Sequence, residues 1–487
     1  MSAPGAFARA WRGRHVVICN WRDSGHPAAG GAELYCERVA GELHRAGARV
    51  TYLTARAAGQ ARTETTPYGT VVRRGGTLTV YPHVLWWLLR HRRSVDGVID
   101  SQNGIPFFTP LALRRRTPVV QLIHHVHQDQ FEVHFPKPIA RLGQFLENQA
   151  SRWVYRDRTL AAVSPSARQE IRRRLSLRGP VLLAACGQEM PDQHRREPAA
   201  RPRIVCVGRL VRQKRVDLLL HALPAVLRRI PDLEVHLVGS GDAVDDLVAL
   251  ADRLGLGDRV VFHGRVDPAT RDALVASAWL TVSASMGEGW GLSIMEAAAS
   301  GVPAVALNVP GLRDTIRHGE TGWLVEVGED LAGGLSAGIV EALLTLADTV
   351  ERAAWSARCV AWASQFTWES TAAVLRSALS AERHRLANGR PEARQVNDAV
   401  TLVVLPADVA GRGNLAGLRG TDRVASGPDH VALLMYGTDE INAERALTAL
   451  GFDVHDPRVT VRLARQRDLL GWQTVVRPLG DSARAGA

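Results

Sequence analysis

Short apolar runs of six to eight residues alternate with longer stretches of helical period, and the alternation occurs twice in succession. In the first round HVVICN (15–20), RVTYLTA (49–55), DGVIDS (96–101), PVVQLIHH (118–125) and TLAAVS (159–164) read as strands. Between the first two, Ala32, Cys36, Val39, Ala40 and Leu43 recur at helical spacing, and Gly47 stops the helix. Strands this apolar, joined by helices, belong in a parallel sheet covered on both faces. After the polar, Pro-bearing PDQHRREPAARP (191–202), a linker by composition, the pattern restarts. RIVCVG (203–208), LEVHLVG (233–239), RVVFHG (259–264), AWLTVSAS (278–285) and VPAVAL (302–307) are its strands. The expected fold class is α/β, with two facing Rossmann-like domains at 1–192 and 198–384. The last helices before 384 could cross back to the first domain. Ligands are expected beyond the carboxyl ends of the strands, in a cleft between the domains.

From about residue 384 to 400 the chain turns polar again, and a small α+β appendage over 400–487 follows. It shows strand-like TLVVLP and HVALLMYG and a helix ending in ALTALGF, but carries no assignable motif.

A chain of 487 residues is too long for one hydrophobic core, and its 46% apolar and 22% charged content is ordinary for a globular protein. No apolar run is long enough to cross a bilayer. The basic N-terminus leads into HVVICN, too short and strand-like for a secretory signal, so a cytoplasmic location is expected, with a peripheral contact at the inner membrane face left open. Cys19, Cys36, Cys186, Cys206 and Cys359 form no C-x-x-C pair and suggest buried thiols. The net charge of +11 is uneven: residues 1–190 hold 27 Lys/Arg against 13 Asp/Glu, and the remainder 33 against 36. Clusters lie at HRR (91–93), RRR (114–116) and RRR (172–174). The asymmetry fits an anionic partner, and Arg-rich genomic composition explains it equally well.

The segment most suggestive of chemistry is MGEGWGLSIMEA (286–297). Glycines at 287, 289 and 291 allow a ligand close to the backbone, and a helix beginning near Leu292 points its free N–H groups at whatever sits there. Glu288 lies in the turn and Glu296 about one turn into the helix. Carboxylates beside a phosphate site would repel it unless they bind hydroxyls, so a sugar nucleotide is the ligand these residue types suggest. In VGRLVRQKRVDLLLHAL (207–223) a strand ends at Gly208, and Arg209 and Lys214 precede a helix. Two cations there suit a diphosphate.

GGAE near the N-terminus, GRL-x3-K, LVGSGD (237–242), VVFHGRV (260–266) and S-x2-EGWGL-x3-E-A together resemble the retaining glycosyltransferases of family 4, which have the GT-B fold. The resemblance covers roughly residues 14–380. It implies transfer of a sugar from a nucleoside-diphosphate donor, with UDP or GDP favoured over ADP, to a hydroxyl acceptor such as a glycan, a glycolipid or a natural product. No cofactor, metal or nucleic acid is implied. By this resemblance His124, Glu288, Arg209 and Lys214 form the catalytic group. Glu296 would hold the ribose, Arg209 and Lys214 the diphosphate, and His124 would lie beside the transferred sugar. Ser285, Gly289, Trp290, Gly291 and Leu292 would border sugar and phosphate, Gly239, Gly264, Arg265 and Val266 the donor and its base, and Gly30 and Gly31 a loop over the donor. Cys186-Gly187, Pro310-Gly311 and Asp314 depart from the family pattern.

Closely spaced His124, His125 and His127 raise a zinc site, which a missing fourth ligand disfavours. Trp86, Trp87 and HRR (91–93) make a candidate membrane contact, with packing of the tryptophans against the sheet favoured instead. A dinucleotide oxidoreductase would need G-x-G-x-x-G after the first strand, which NWRDSGHPAAGGAE lacks. A non-catalytic nucleotide-sugar or membrane-surface binder on the same scaffold remains the alternative.

Overall fold

The computed structural model describes residues 11–471 apart from 28, 129–130, 132–135, 157, 178, 192–196, 388–398, 419–421 and 465. Part of the first polar linker, most of the second and the first ten residues lie outside these. The chain forms two compact units, one running to Ala185 and resuming at Trp368, the other spanning Cys186–Thr367. Among the described residues no single helix is long and apolar enough to cross a membrane.

In the first unit, strands β1 (His15–Cys19), β2 (Arg49–Thr54), β3 (Thr63–Thr66), β4 (Gly69–Arg73), β5 (Gly97–Asn103), β6 (Val119–His125), β7 (Thr159–Ala162) and β8 (Val181–Leu183) form one sheet. Its order is β3-β4-β2-β1-β5-β6-β7-β8, and only the β3–β4 pair is antiparallel. β1 and β7 are buried throughout, as their apolar sequences require. β3 is TETT, mostly exposed at the sheet edge; a polar edge strand resists pairing with other chains and leaves no apolar signal in the sequence. Helices named below are α1 (Gly31–Arg45), α2 (Val80–His91), α3 (Lys137–Phe145) and α4 (Ser151–Tyr155).

The second unit places β9 (Arg203–Val207), β10 (Glu234–Val238) and β11 (Val260–Gly264) in one parallel set, and β12 (Thr281–Ser283), β13 (Ala304–Leu307) and β14 (Gly322–Val325) in another. A parallel bridge between Ile204 and Leu280 joins β9 to β12. The combined order β11-β10-β9-β12-β13-β14 is that of a Rossmann fold, with direction reversing between β9 and β12. Helices α5 (Val216–Arg229), α6 (Pro268–Ser277) and α7 (Leu292–Ala299) follow β9, β11 and β12. Leu219, Leu223, Val235, Leu280, Val305 and Ile339 are among the side chains of its core.

The boundaries differ from those expected. The second unit begins at Cys186, where the Gln188 N–H donates to the Phe366 carbonyl (2.8 Å) and ties both ends of the unit together. It ends at Thr367 because helix α8 (Trp368–Ala387) packs on α1 and β7 of the first unit. Buried Glu382 anchors α8, accepting hydrogen bonds from Thr159 N–H (3.3 Å), Thr159 Oγ1 (3.1 Å) and Arg158 (3.0 Å).

The appendage groups with the first unit. β15 (Val400–Pro406), β16 (Arg423–Ser426), β17 (His430–Tyr436) and β18 (Thr460–Leu463) make an antiparallel sheet of order β16-β17-β15-β18. A short helix follows β15 and α9 (Glu440–Ala449) follows β17. This is the βαββαβ, or split-βαβ, topology. Val403, Leu405, Leu433 and Met435 pack with Ala443 and Leu447 of α9. Arg423 reaches the Leu183 carbonyl of β8 (3.5 Å).

Candidate active site

The second unit's strand order reverses between β9 and β12, and the loops leaving these two strands carry Arg209, Lys214, Ser285, Glu288 and the start of α7. A crevice outside such a reversal is where open α/β sheets bind ligands. The two loops are joined: Met286 N–H donates to the Gln213 carbonyl (3.2 Å), and the Lys214 ammonium pairs with the Glu288 carboxylate. Ser285, itself buried, donates to Glu288 Oε1 (2.8 Å). The sequence reading gave Lys214 and Glu288 separate ligand groups; the structure pairs them with each other. Arg209 is exposed and makes no hydrogen bond or ion pair among the described residues.

Glu288 is also fixed through its backbone, its N–H donating to the Pro310 carbonyl (3.0 Å). Gly311 has φ +84°, and a Cβ there would lie 2.2 Å from the Glu288 carbonyl oxygen. The position that must be glycine is therefore kept, and Pro310 supplies only a carbonyl, which any residue offers. This explains why Pro310-Gly311 is compatible with the loop.

Gly291 caps α7 at φ +101° with no side chain bonded to the helix N-terminus, so the first amides are left for another acceptor. Leu292 is half-buried at that first turn and Gly289 lies just before it. Trp290 contributes only backbone: its indole is buried against Phe366, with ring centroids 5.3 Å apart. Glu296 is half-buried and no side chain among the described residues hydrogen-bonds its carboxylate. Burial raises its pKa, and Arg271 on α6 opposes the rise.

Glycines end three neighbouring strands: Gly208 follows β9, Gly239 follows β10 and Gly264 closes β11. Gly239 N–H donates to the Gly264 carbonyl (2.8 Å), and a Cβ on Gly239 would fall 1.8 Å from the Gly208 carbonyl oxygen. That glycine is thus required by the protein's own backbone. Arg265 is exposed, and Val266 packs beside Val205, Val238 and Ala297.

In the first unit Gly30 is the N-cap of α1 and Gly31 its first residue. Glu33, overlooked as a functional residue in the sequence although it sits at the capping-box position, is buried. It accepts from Gly30 N–H (2.7 Å) and from Arg22 (3.1 Å), and so fixes the glycine loop. His124 ends β6 in a buried network with Asn20 and Ser101. The Arg22 carbonyl can only accept, so Asn20 turns its amide nitrogen there (3.0 Å) and its oxygen toward Ser101 (3.2 Å). Ser101 then donates to Asn20, and His124 Nε2 must donate to Ser101 (3.0 Å). Burial holds the His124 pKa down to about 4, and the inferred neutral tautomer keeps a lone pair on Nδ1. Nothing in the sequence announces this network, because Asn20 and Ser101 lie far apart in an apolar pattern.

His125 and His127 point toward carboxylates, Glu170 and Glu147, each at 3.9 Å. Among the described residues no group of three metal-ligating side chains occurs. Trp87 stacks on His91 and meets His15 of β1 edge to face, as the favoured sequence reading expected, but Trp86 is 61% exposed and departs from it. The cysteines are free thiols, and burial pushes Cys36 and Cys206 up to about 12.

Two family models match in tandem: "Glycosyltransferase Family 4" over residues 29–187 and "Glycosyl transferases group 1" over 189–344. Each model covers about a third of the chain, which thus resembles these glycosyltransferase families over residues 29–344. It is 34% identical over 213 residues to a GDP-mannose-dependent alpha-(1-6)-phosphatidylinositol monomannoside mannosyltransferase of Mycolicibacterium smegmatis, covering 40% of this chain and 50% of that one. It is 37% identical over 187 residues to a D-inositol 3-phosphate glycosyltransferase of Nocardia farcinica, covering 37% and 40%. The matches span half or less of the length of these curated relatives. Among solved structures, a sucrose-phosphate synthase from Thermosynechococcus elongatus superposes with TM-score 0.63 at 23% identity, covering 77% of this chain and all of the other. Anabaena HepE, solved with UDP and glucose, superposes with TM-score 0.57 at 21% identity, covering 75% and 99%. These likenesses establish the GT-B fold.

Proposed function

We propose that this chain is a glycosyltransferase that moves a sugar from a nucleoside-diphosphate donor to an acceptor hydroxyl with retention at the anomeric carbon and without a metal. The observation that carries the reading is the pairing of an unpartnered cation, Arg209, with an uncapped helix N-terminus, at the loops flanking the β9/β12 reversal. In the reaction the bond between the anomeric carbon and the diphosphate oxygen breaks, and a bond to the acceptor oxygen forms on the same face. The acceptor proton passes to the departing phosphate. Charge builds on the diphosphate, so Arg209, Lys214 and the α7 amides lower the barrier by stabilising it where it develops. Lys214 exchanges its Glu288 partner for a phosphate oxygen, which frees Glu288 for hydroxyls near the reaction centre. Glu296 accepts from the ribose hydroxyls, and Gly264, Arg265 and Val266 border the base. His124, neutral at physiological pH, takes a hydrogen bond from a sugar hydroxyl on Nδ1.

GDP and UDP are the first donors to try. The mannosyltransferase relative is named for GDP-mannose and acts on a phosphatidylinositol glycan, which supports a lipid-linked acceptor here. The test is a transfer assay with a panel of UDP- and GDP-sugars, with product configuration read by proton NMR. An axial or equatorial anomeric bond matching the donor's, formed at an undiminished rate in excess chelator, is expected. Inverted product, or turnover lost on chelation, overturns the mechanism.

A further inference from the structure

We propose that the first unit docks on an anionic membrane surface through the face built by α2, the 3-10 turn Thr109–Leu111, and the rod formed by α3, a π-helical turn (Leu146–Ala150) and α4. The 3-10 turn touches both α2 and α4, so the three segments make one surface. That surface exposes large apolar side chains that a globular protein normally covers: Ile139 at 51%, Leu142 at 57%, Phe145 at 40% and Trp153 at 73% on the rod. Leu111 (69%) continues it on the turn and Trp86 (61%) and Leu89 (49%) on α2. Phe145 and Trp153 pack edge to face at 5.7 Å, giving the rod an aromatic ridge that faces outward.

Within these segments the exposed charge is of one sign, with Asp96 lying just beyond α2. Arg90, Arg92 and Arg93 close α2, Arg114, Arg115 and Arg116 follow the turn, and Lys137, Arg141, Arg152 and Arg156 lie along the rod, all exposed. Segments 80–94 and 104–117 contain no carboxylate, and the rod from 137 to 156 contains only Glu147, which is buried. Most of these cations lie just before β5, β6 or β7, so they gather at the amino ends of three neighbouring strands. The rod itself runs from the carboxyl end of β6, where Gln144 and Glu147 bond to Gln128 and His127, to the amino end of β7. Apolar and aromatic side chains inside a cationic border match the layered chemistry of a bilayer with acidic headgroups, where rings sit at the interface and cations meet phosphates. A nucleic acid would use the cations but leave Ile139, Leu142 and Phe145 against water. The proposal does not rest on the transfer reaction.

The experiment is co-sedimentation of the full chain with vesicles of phosphatidylcholine mixed with phosphatidylglycerol, and with phosphatidylcholine alone. Strong binding to the acidic vesicles and weak binding to the neutral ones is expected. Phe145→Ser with Trp153→Ser should weaken it by about tenfold or more, since both rings lose apolar burial. Arg90→Gln, Arg92→Gln and Arg93→Gln should each cost about fivefold. All five side chains are exposed, and an unchanged melting temperature confirms that the variants fold. The proposal falls if the double variant binds like the wild type, or if neutral vesicles bind equally well. It also falls if light scattering shows a dimer that the double variant converts to monomer, since the face would then join two copies. None of these side chains belongs to the donor site, so nucleotide binding measured alongside separates this outcome from failure of the transfer reading.

Discussion

At the strand ends of the second unit Arg209 is exposed and neither it nor Glu296 makes a side-chain hydrogen bond among the described residues, whereas at those of the first unit Asn20 and His124 are buried and both bonded to Ser101. Both units are Rossmann-like, so topology does not set the difference. The second unit leaves polar groups to be satisfied by something that arrives; the first bonds most of its own to one another and leaves His124 Nδ1 open. A buried group without a partner costs more than a bonded one gains. Open groups are therefore tolerable only at solvent or where a ligand completes them. Substitutions should accordingly be felt as activity in one unit and as stability in the other.

The largest expected effect is on pH dependence. His124 is held near pKa 4 in the folded chain against 6.5 in a free side chain. A depressed histidine pKa means that the unfolded chain takes up the proton first, so its stabilising contribution is full above 6.5 and is lost as pH falls toward 4. The stability of the wild type relative to His124→Gln should therefore decline by up to about 3 kcal/mol over that window. Glu147, raised by burial to about 7, runs the other way, losing stability as pH rises from 4.5. Wild-type melting alone would thus hide the effect, and urea unfolding of both chains at each pH reveals it. A constant difference between them would show that His124 titrates normally.

Arg209→Ala should lower turnover by roughly ten- to a hundredfold, with melting unchanged. If it melts early instead, Arg209 is structural and the contrast between the units fails. Gly311→Ala forces a side chain into a φ of +84° and against the Glu288 carbonyl. A stability loss of about 2 kcal/mol is expected, together with displacement of Glu288, so calorimetric unfolding and turnover should both suffer. Ser101→Ala, by contrast, removes bonds within the buried network and should cost about 1 kcal/mol with nucleotide affinity unaltered. An affinity change without a stability change would place Ser101 in the ligand site.

Much of the second unit's fold was legible because its strands and loops are written in runs. GR…K lies between β9 and α5, and E-x7-E runs from a loop into the start of α7, so each is set by local chain geometry. Strands such as RIVCV and LEVHLV carry enough apolar residues to be seen in advance. TETT at β3 was missed because an edge strand is polar for its own reason. GWLV at β14 was missed because four residues after a turn carry little period. The Lys214–Glu288 pair was not foreseen, since the residues are 74 positions apart and each had been given a ligand role of its own. Asn20 follows β1 while Ser101 and His124 lie in β5 and β6, and the sheet order β1-β5-β6 brings them together. The return of α8 to the first unit depends on Glu382 meeting Thr159, 223 residues away, a contact no local pattern encodes.

Calorimetric titration of UDP, GDP and ADP into the wild type, Arg209→Ala and Glu296→Ala tests the central claim most directly, that the β9/β12 reversal holds a nucleoside diphosphate. UDP or GDP should bind, Arg209→Ala should weaken it about tenfold through loss of a charged hydrogen bond to phosphate, and Glu296→Ala should weaken it similarly through the ribose. If none of the three nucleotides binds, or if both variants bind as tightly as the wild type, the claim is wrong.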